Sequence, residues 1–273
     1  MNTSPSALRR LQLRFGRAYY ELVFAFASRN VSMFNYGVAP IAAEVSDDLI
    51  AAREPYQATL YAEVWRAAVD LGAGQRAEDA PMQVFEVSAG MGGGLAFLGR
   101  LSGAQMTALE RSAAGRRSAR KRGLATRPFE APTLEIADGE ADVIISVEAA
   151  HNYFSDAFAA ELARALRPGG VLVMTDCPLT PFESQKATIE PALEAAGLSV
   201  QRFEDITERS VAAIRADTPR KMARLWWMPA PIRRMMMEAL GCDPSEKFAS
   251  LAEGRRGYYF LSAIKPAAQD QPR

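Results

Sequence analysis

Histidine and cysteine are scarce in this 273-residue chain: His151 is the only histidine, and Cys177 and Cys242 are the only cysteines. Two distant cysteines make neither a disulfide framework nor a zinc site, so a reducing, cytoplasmic setting is the default expectation and no metal is expected. Charge of one sign is also lacking. Thirty-two basic residues face 32 acidic ones, which gives no electrostatic reason to expect nucleic acid, whose phosphate backbone demands a basic surplus. No run approaches the roughly 18–20 apolar residues of a membrane-spanning helix. Gly and Pro stand at 19 and 16, an ordinary content that excludes collagen-like and low-complexity classes. What remains is a chain 49% apolar, able to bury a sizeable core.

The first twenty residues carry Arg9, Arg10, Arg14 and Arg17 and no acid, which imitates a transit peptide. Glu21 breaks the apolar stretch, however, and Leu8, Leu11, Phe15, Tyr19, Leu22 and Phe26 recur at the spacing of one helix face. A docked amphipathic helix is expected, with a membrane-surface helix as the alternative and hence peripheral membrane contact. A second helix is expected over Pro55–Leu71, ended by Gly72 and Gly74. Together these form a helical lid over residues 1–75.

From Pro81 the pattern alternates. Strands are expected at Met82–Val87, Gln105–Leu109, Asp142–Val147, Gly170–Thr175, Leu198–Phe203 and Tyr258–Ile264, with a less regular third strand near Glu130. Helices are expected at Gly93–Leu101, Ser112–Arg122, Asp156–Leu166 and Glu183–Ala196, with a long helical region reaching about Leu240. Strands separated by helices imply an α/β, Rossmann-like, doubly wound and mostly parallel seven-stranded sheet over residues 76–273. The stretch at about 205–252 reads as a helical cap before the last strand.

Ligands of such sheets bind beyond the carboxyl ends of the strands, near the switch in strand order. The first strand ends Glu86-Val87-Ser88-Ala89-Gly90-Met91-Gly92. A glycine turn between strand and helix brings a ligand close to the backbone. Glu86 discriminates further, because a carboxylate there suits a cationic amino group and repels a pyrophosphate. The second strand ends at Glu110, where a carboxylate can accept both hydroxyls of a ribose.

Glu86, the turn from Ser88 to Gly92, Glu110, Glu130, Asp142 and Arg164-Ala-Leu-Arg-Pro-Gly-Gly170 together resemble the class I S-adenosylmethionine-dependent methyltransferases. Asn35-Tyr36-Gly37 and Glu148-Ala-Ala-His151-Asn-Tyr153 are similar to elements of small-molecule C- and O-methyltransferases, among them those acting on phthiotriolone-type lipids and tocopherols. The resemblance implies S-adenosyl-L-methionine as cofactor. It places Glu86 toward the methionine amino group, Gly90 and Gly92 under the methionine and ribose, Glu110 on the ribose hydroxyls and Glu130 on the adenine amino group. Arg111, Ala131 and Val147 join them along the cofactor, and Tyr36 covers it from the lid. Ser88 replaces the first glycine of the turn. A side chain there is able to crowd the ligand, and is harmless where the local backbone lies in an ordinary region; with every other acid and glycine in place, Ser88 is expected to be tolerated.

His151 follows the fourth strand, and histidine is the usual base near neutral pH. Asp176, ending the fifth strand, is placed to orient it. Packing and helix-capping roles are the plain alternatives for the two. Tyr153, Trp226 and Trp227 are expected against an apolar acceptor, the Trp- and Met-rich stretch otherwise filling a core or a homodimer contact. Cys177 reads as structural. The function expected is methyl transfer to a small, apolar, natural-product-like acceptor, at oxygen first and carbon second. A cyclase or isomerase that keeps the cofactor for shape, a nicotinamide-dependent oxidoreductase and a binding protein with a degenerate site are the rivals.

Overall fold

The computed structural model describes Glu21, Phe24 and residues 31–48, 50–73 and 81–267. The apolar face from Leu8 to Phe26, Phe24 and Glu21 apart, lies outside the described residues. Among the described residues, seven strands form one sheet: β1 (Gln83–Val87), β2 (Gln105–Leu109), β3 (Ala125–Arg127), β4 (Ala141–Val147), β5 (Leu166–Asp176), β6 (Ser199–Asp205) and β7 (Tyr259–Ile264). Their order is β3-β2-β1-β4-β5-β7-β6. β1 pairs in parallel with both β2 and β4, whereas β7 runs antiparallel between β5 and β6. The chain steps outward from β1 to β3 and returns to the other side of β1, so the switch point lies between β1 and β4.

Alternate residues of each strand supply the two faces, as the two-residue period of a strand requires. Val84, Val143, Ile145 and Val173 face one core, and Phe85, Ile144, Leu172 and Met174 the other. The first core is closed by α2 (Pro55–Asp70), α3 (Gly93–Ser102) and α4 (Ala113–Lys121), which follow a short α1 (Ala43–Ser46). It is also covered by α7 (Thr207–Leu225) and α9 (Glu246–Ala252), which flank α8 (Ala230–Ala239). The second is closed by α5 (Asp156–Ala165) and α6 (Phe182–Ala195). Burying a leucine or phenylalanine such as Leu162 or Phe158 contributes about 1.5–3 kcal/mol each.

Local chemistry sets the helix ends. Ser112 caps α4 by accepting from the Gly115 N–H at 3.1 Å, and Ser155 caps α5 through the Phe158 N–H at 3.3 Å. The long helical region expected after β6 breaks at Trp226–Pro229, because Pro229 has no N–H to continue α7. Asp142 serves the end of the sheet away from the switch-point crevice. Its carboxylate accepts from the Gln83 N–H at 2.7 Å and from Arg167 at 2.6 Å, tying the starts of β1 and β4 to the Pro-Gly-Gly turn.

Candidate active site

Glu86, next to last in β1, is fully buried. Its Oε1 accepts from the Tyr61 hydroxyl of α2 at 2.5 Å, and its Oε2 has no hydrogen-bond partner. Burial pushes the Glu86 carboxyl up to about 7, against the Tyr61 bond and with the help of the Glu110 charge. Tyr61 reaches this position because Gly94 has no side chain; a Cβ there would stand 2.0 Å from the Tyr61 ring. Gly93 plays the same part for the preceding segment, its N–H meeting the Ser32 carbonyl at 3.2 Å. The glycine run thus admits N-terminal elements onto the strand end.

Three residues of the turn hold left-handed backbone: Ser88 at φ 59°, Gly90 at 55° and Gly92 at 76°. Ser88 thus does not lie in an ordinary backbone region, and an L-residue pays for this conformation. The Ser88 hydroxyl is held by the Tyr153 hydroxyl, which donates to it at 3.1 Å. Tyr153 stands edge-on to Phe129 and Phe158 at centroid distances of 5.1 and 5.0 Å. It supports the turn from below, with burial pushing its hydroxyl up.

Glu110 is buried beside the same turn. It accepts from the Gly90 N–H at 2.8 Å and the Ser112 N–H at 2.6 Å, while burial pushes its carboxyl up. Phe24 packs with Met91 and Ala114 above the turn, and Glu21 accepts from the first N–H groups of α4 at 2.6 and 3.0 Å. Glu86 and Glu110 thus converge on one loop. Glu130 lies beyond the end of β3 with its side chain 69% exposed, 3.7 Å from Arg111. Ala131 is exposed beside it, and Val147 is buried at the end of β4.

On the β4–β5 side, Asp176 is fully buried and bonds the His151 ring, Nδ1 to Oδ1 at 2.8 Å, and the His151 N–H at 2.6 Å. Burial pushes the imidazole down, but the Asp176 bond and charge outweigh it and the pKa rises. Glu148, also in left-handed backbone at φ 50°, accepts from the Tyr36 N–H and the Tyr258 hydroxyl, both at 2.6 Å. Burial pushes it up to about 7. Tyr36 is thereby drawn over the strand ends, edge-on to Tyr258 with centroids 6.4 Å apart. Beside it Asn35 is buried with both amide atoms unpartnered. The Cys177 thiol is buried and pushed up to about 12, which leaves it inert.

Trp226 and Trp227 stand apart. They are 75% and 61% exposed, on the connection that follows α7. Tyr61, Tyr258 and the role of Glu148 escape sequence reasoning. Both tyrosines come from elements remote in the chain, and only the spacing from Glu148 to Tyr153 marks the glutamate.

The residues fit an adenosine that carries an amino acid on a cationic sulfur. An orphaned, buried carboxylate oxygen on Glu86 suits an ammonium group, and the orphaned Asn35 amide offers a donor and an acceptor nearby. Comparison with known proteins agrees. Residues 85–174 match the family described as a methyltransferase domain. The chain is similar to a phthiotriol/phenolphthiotriol dimycocerosates methyltransferase of Mycobacterium tuberculosis, 34% identical over 137 residues and 48% of each chain. It is also similar to a fatty-acid O-methyltransferase of Mycolicibacterium smegmatis, 30% identical over 183 residues, covering 61% of this chain and 62% of that one. The chain spans about half the length of the curated relatives it matches.

A solved geranyl diphosphate C-methyltransferase from Streptomyces coelicolor A3(2) superposes with a TM-score of 0.59 at 16% identity, over 90% of this chain and 98% of that one. The [4+2]-cyclase SpnF gives 0.65 at 17% identity, over 92% and 96%. At these identities the likeness is one of fold. The fold, the strand-end carboxylates and the matched domain make the core that of a class I methyltransferase. The cofactor of that class is S-adenosylmethionine.

Proposed function

We propose that this chain methylates a hydroxyl oxygen of a small, lipophilic acceptor. S-adenosylmethionine, when bound, supplies an electrophilic methyl group on a cationic sulfur. Glu86 and Asn35 would hold the amino-acid end and Glu110 the ribose hydroxyls. Arg111 and Glu130, paired at the rim, would face the adenine end. The turn from Ser88 to Gly92 would lie beneath, with Val147 beside it and Tyr36 above. These groups position and exclude water, which is most of what methyl transfer asks of a protein.

The observation that carries the oxygen reading is the buried Asp176 bonded to His151 Nδ1. That bond fixes the ring and favours its protonated form, so His151 can take the proton of an acceptor hydroxyl as the oxygen is alkylated. Relatives named for phthiotriol-type lipids and for fatty acids support a lipophilic acceptor. A base is needed for a hydroxyl and not for a carboxylate, which arrives deprotonated. With a long-chain alcohol, His151→Ala is therefore expected to slow turnover by roughly 10²–10⁴-fold. A long-chain fatty acid would lose only a few-fold. Loss of less than about threefold with the alcohol contradicts the base assignment.

A further inference from the structure

Three of the large exposed hydrophobics among the described residues, Trp226, Trp227 and Ile232, fall close together in the chain, on the connection after α7 and in the first turn of α8. The third tryptophan, Trp65, is packed against the core. Between Asp217 and Glu238 the chain carries Arg220, Lys221, Arg224, Arg233 and Arg234 and not a single acid. In a chain whose charges balance overall, that is a local surplus. Asp217 pairs with Arg220 and Lys221. Arg220 and Arg224 both donate to the Arg53 carbonyl, the latter at 3.0 Å, which brings a further cation, Arg53, into the group. Burial, and then the charge of Arg220, hold the Arg224 guanidinium below its ordinary pKa, against the opposing charges of Glu54 and Asp217.

We propose that this face docks the protein on an anionic lipid surface, the two indoles entering the headgroup region and the arginines meeting lipid phosphates. Tryptophan prefers that region because its ring is apolar with one polar edge. In Trp227 that edge is already satisfied, Nε1 donating to the Arg224 carbonyl at 3.1 Å, so the exposed remainder of the ring is apolar. Clustered basic side chains add attraction to a negative leaflet that salt weakens. A second copy of the chain is a poorer occupant. A two-fold contact sets each patch against itself, cation against cation. The inference does not depend on methyl transfer.

Flotation of the full chain with vesicles of phosphatidylcholine plus phosphatidylglycerol, and of phosphatidylcholine alone, tests it. The wild type is expected to float with the anionic vesicles, to lose most of that binding at high salt, and to show a blue-shifted tryptophan emission. Trp226→Ala/Trp227→Ala is expected to lower partitioning at least about tenfold with unchanged circular dichroism. Arg233→Gln/Arg234→Gln is expected to lower it on anionic vesicles only. Absence of flotation, or equal flotation by the tryptophan variant, overturns the proposal. So does a dimer in solution that the tryptophan variant abolishes.

Discussion

Ser88 and Glu148 hold left-handed backbone at φ 59° and 50°, a conformation that costs an L-residue about 1–2 kcal/mol. Each cost is met locally. Ser88 receives the Tyr153 hydroxyl, and Glu148 the Tyr36 N–H and the Tyr258 hydroxyl, at about 0.5–1.5 kcal/mol per bond. Ser88→Gly should therefore stabilise the protein by about 1 kcal/mol when Tyr153 is already Phe, and by less in the wild type. The difference between the two is the worth of the Tyr153–Ser88 bond, and urea unfolding of the four proteins measures it. The substitution of the first glycine was legible in the sequence. Its backbone conformation was not, because a serine carries no local signal for positive φ.

At the scale of elements, the segment 32–38 is the clamp over the strand ends. Buried Glu54, at the head of α2, accepts from the Ser32 N–H at 2.8 Å and the Met33 N–H at 3.3 Å, Glu148 accepts from Tyr36, and Val38 donates to the Tyr56 carbonyl at 3.1 Å. Glu54→Gln replaces an anion that takes several donors by a neutral amide with one acceptor. Exchange of the amides of residues 32–36 should accelerate by about tenfold or more, with strands β1 and β4 unaffected. Uniform acceleration across the sheet would show instead that Glu54 supports the whole fold.

The helices and strands of the core were legible because apolar periodicity and turn residues agree there. β3 was not: three residues long and half-exposed, it lacks the alternation that marks a strand, so Glu130 was expected at its end and stands beyond it. The long helical region expected after β6 is helical to Ala239, divided at Trp226–Pro229. The grip of α2 on Glu86 was invisible for another reason: Tyr61 sits beside Leu60 and Val64 on an ordinary apolar helix.

Across the whole molecule, the site stores protons. Glu86 and Glu148 are raised to about 7 and His151 above its ordinary value. Each raised group holds its proton more tightly folded than unfolded. Its stability contribution is complete below the unfolded value, about 4.5 for the carboxyls and about 6.5 for histidine, and is lost as pH rises through the folded value. Asp48, Glu140, Glu161 and Asp217 are lowered, so their contribution is present above their unfolded values and lost only as pH falls through the folded ones. The free protein should thus be most stable near about pH 5 and melt several degrees lower near about pH 8 in a scanning calorimeter. A melting temperature that climbs over that interval would mean the carboxylates are hydrated or paired.

The acids at the ends of β1 and β2 were legible in the sequence, and the structure brings Glu86 and Glu110 to one loop, where the charge of one acts on the other. That pairing is the centre of the account. Calorimetric titration of the full chain with S-adenosylmethionine between about pH 6 and pH 7.5, in wild type and Glu86→Gln, tests it most directly. One cofactor should bind per chain, more tightly as pH rises toward about 7, because Glu86 must release its proton to face an ammonium group. Glu86→Gln should bind at least about tenfold more weakly and without that pH dependence. No binding by the wild type, or equal binding by the variant across the range, would contradict the account.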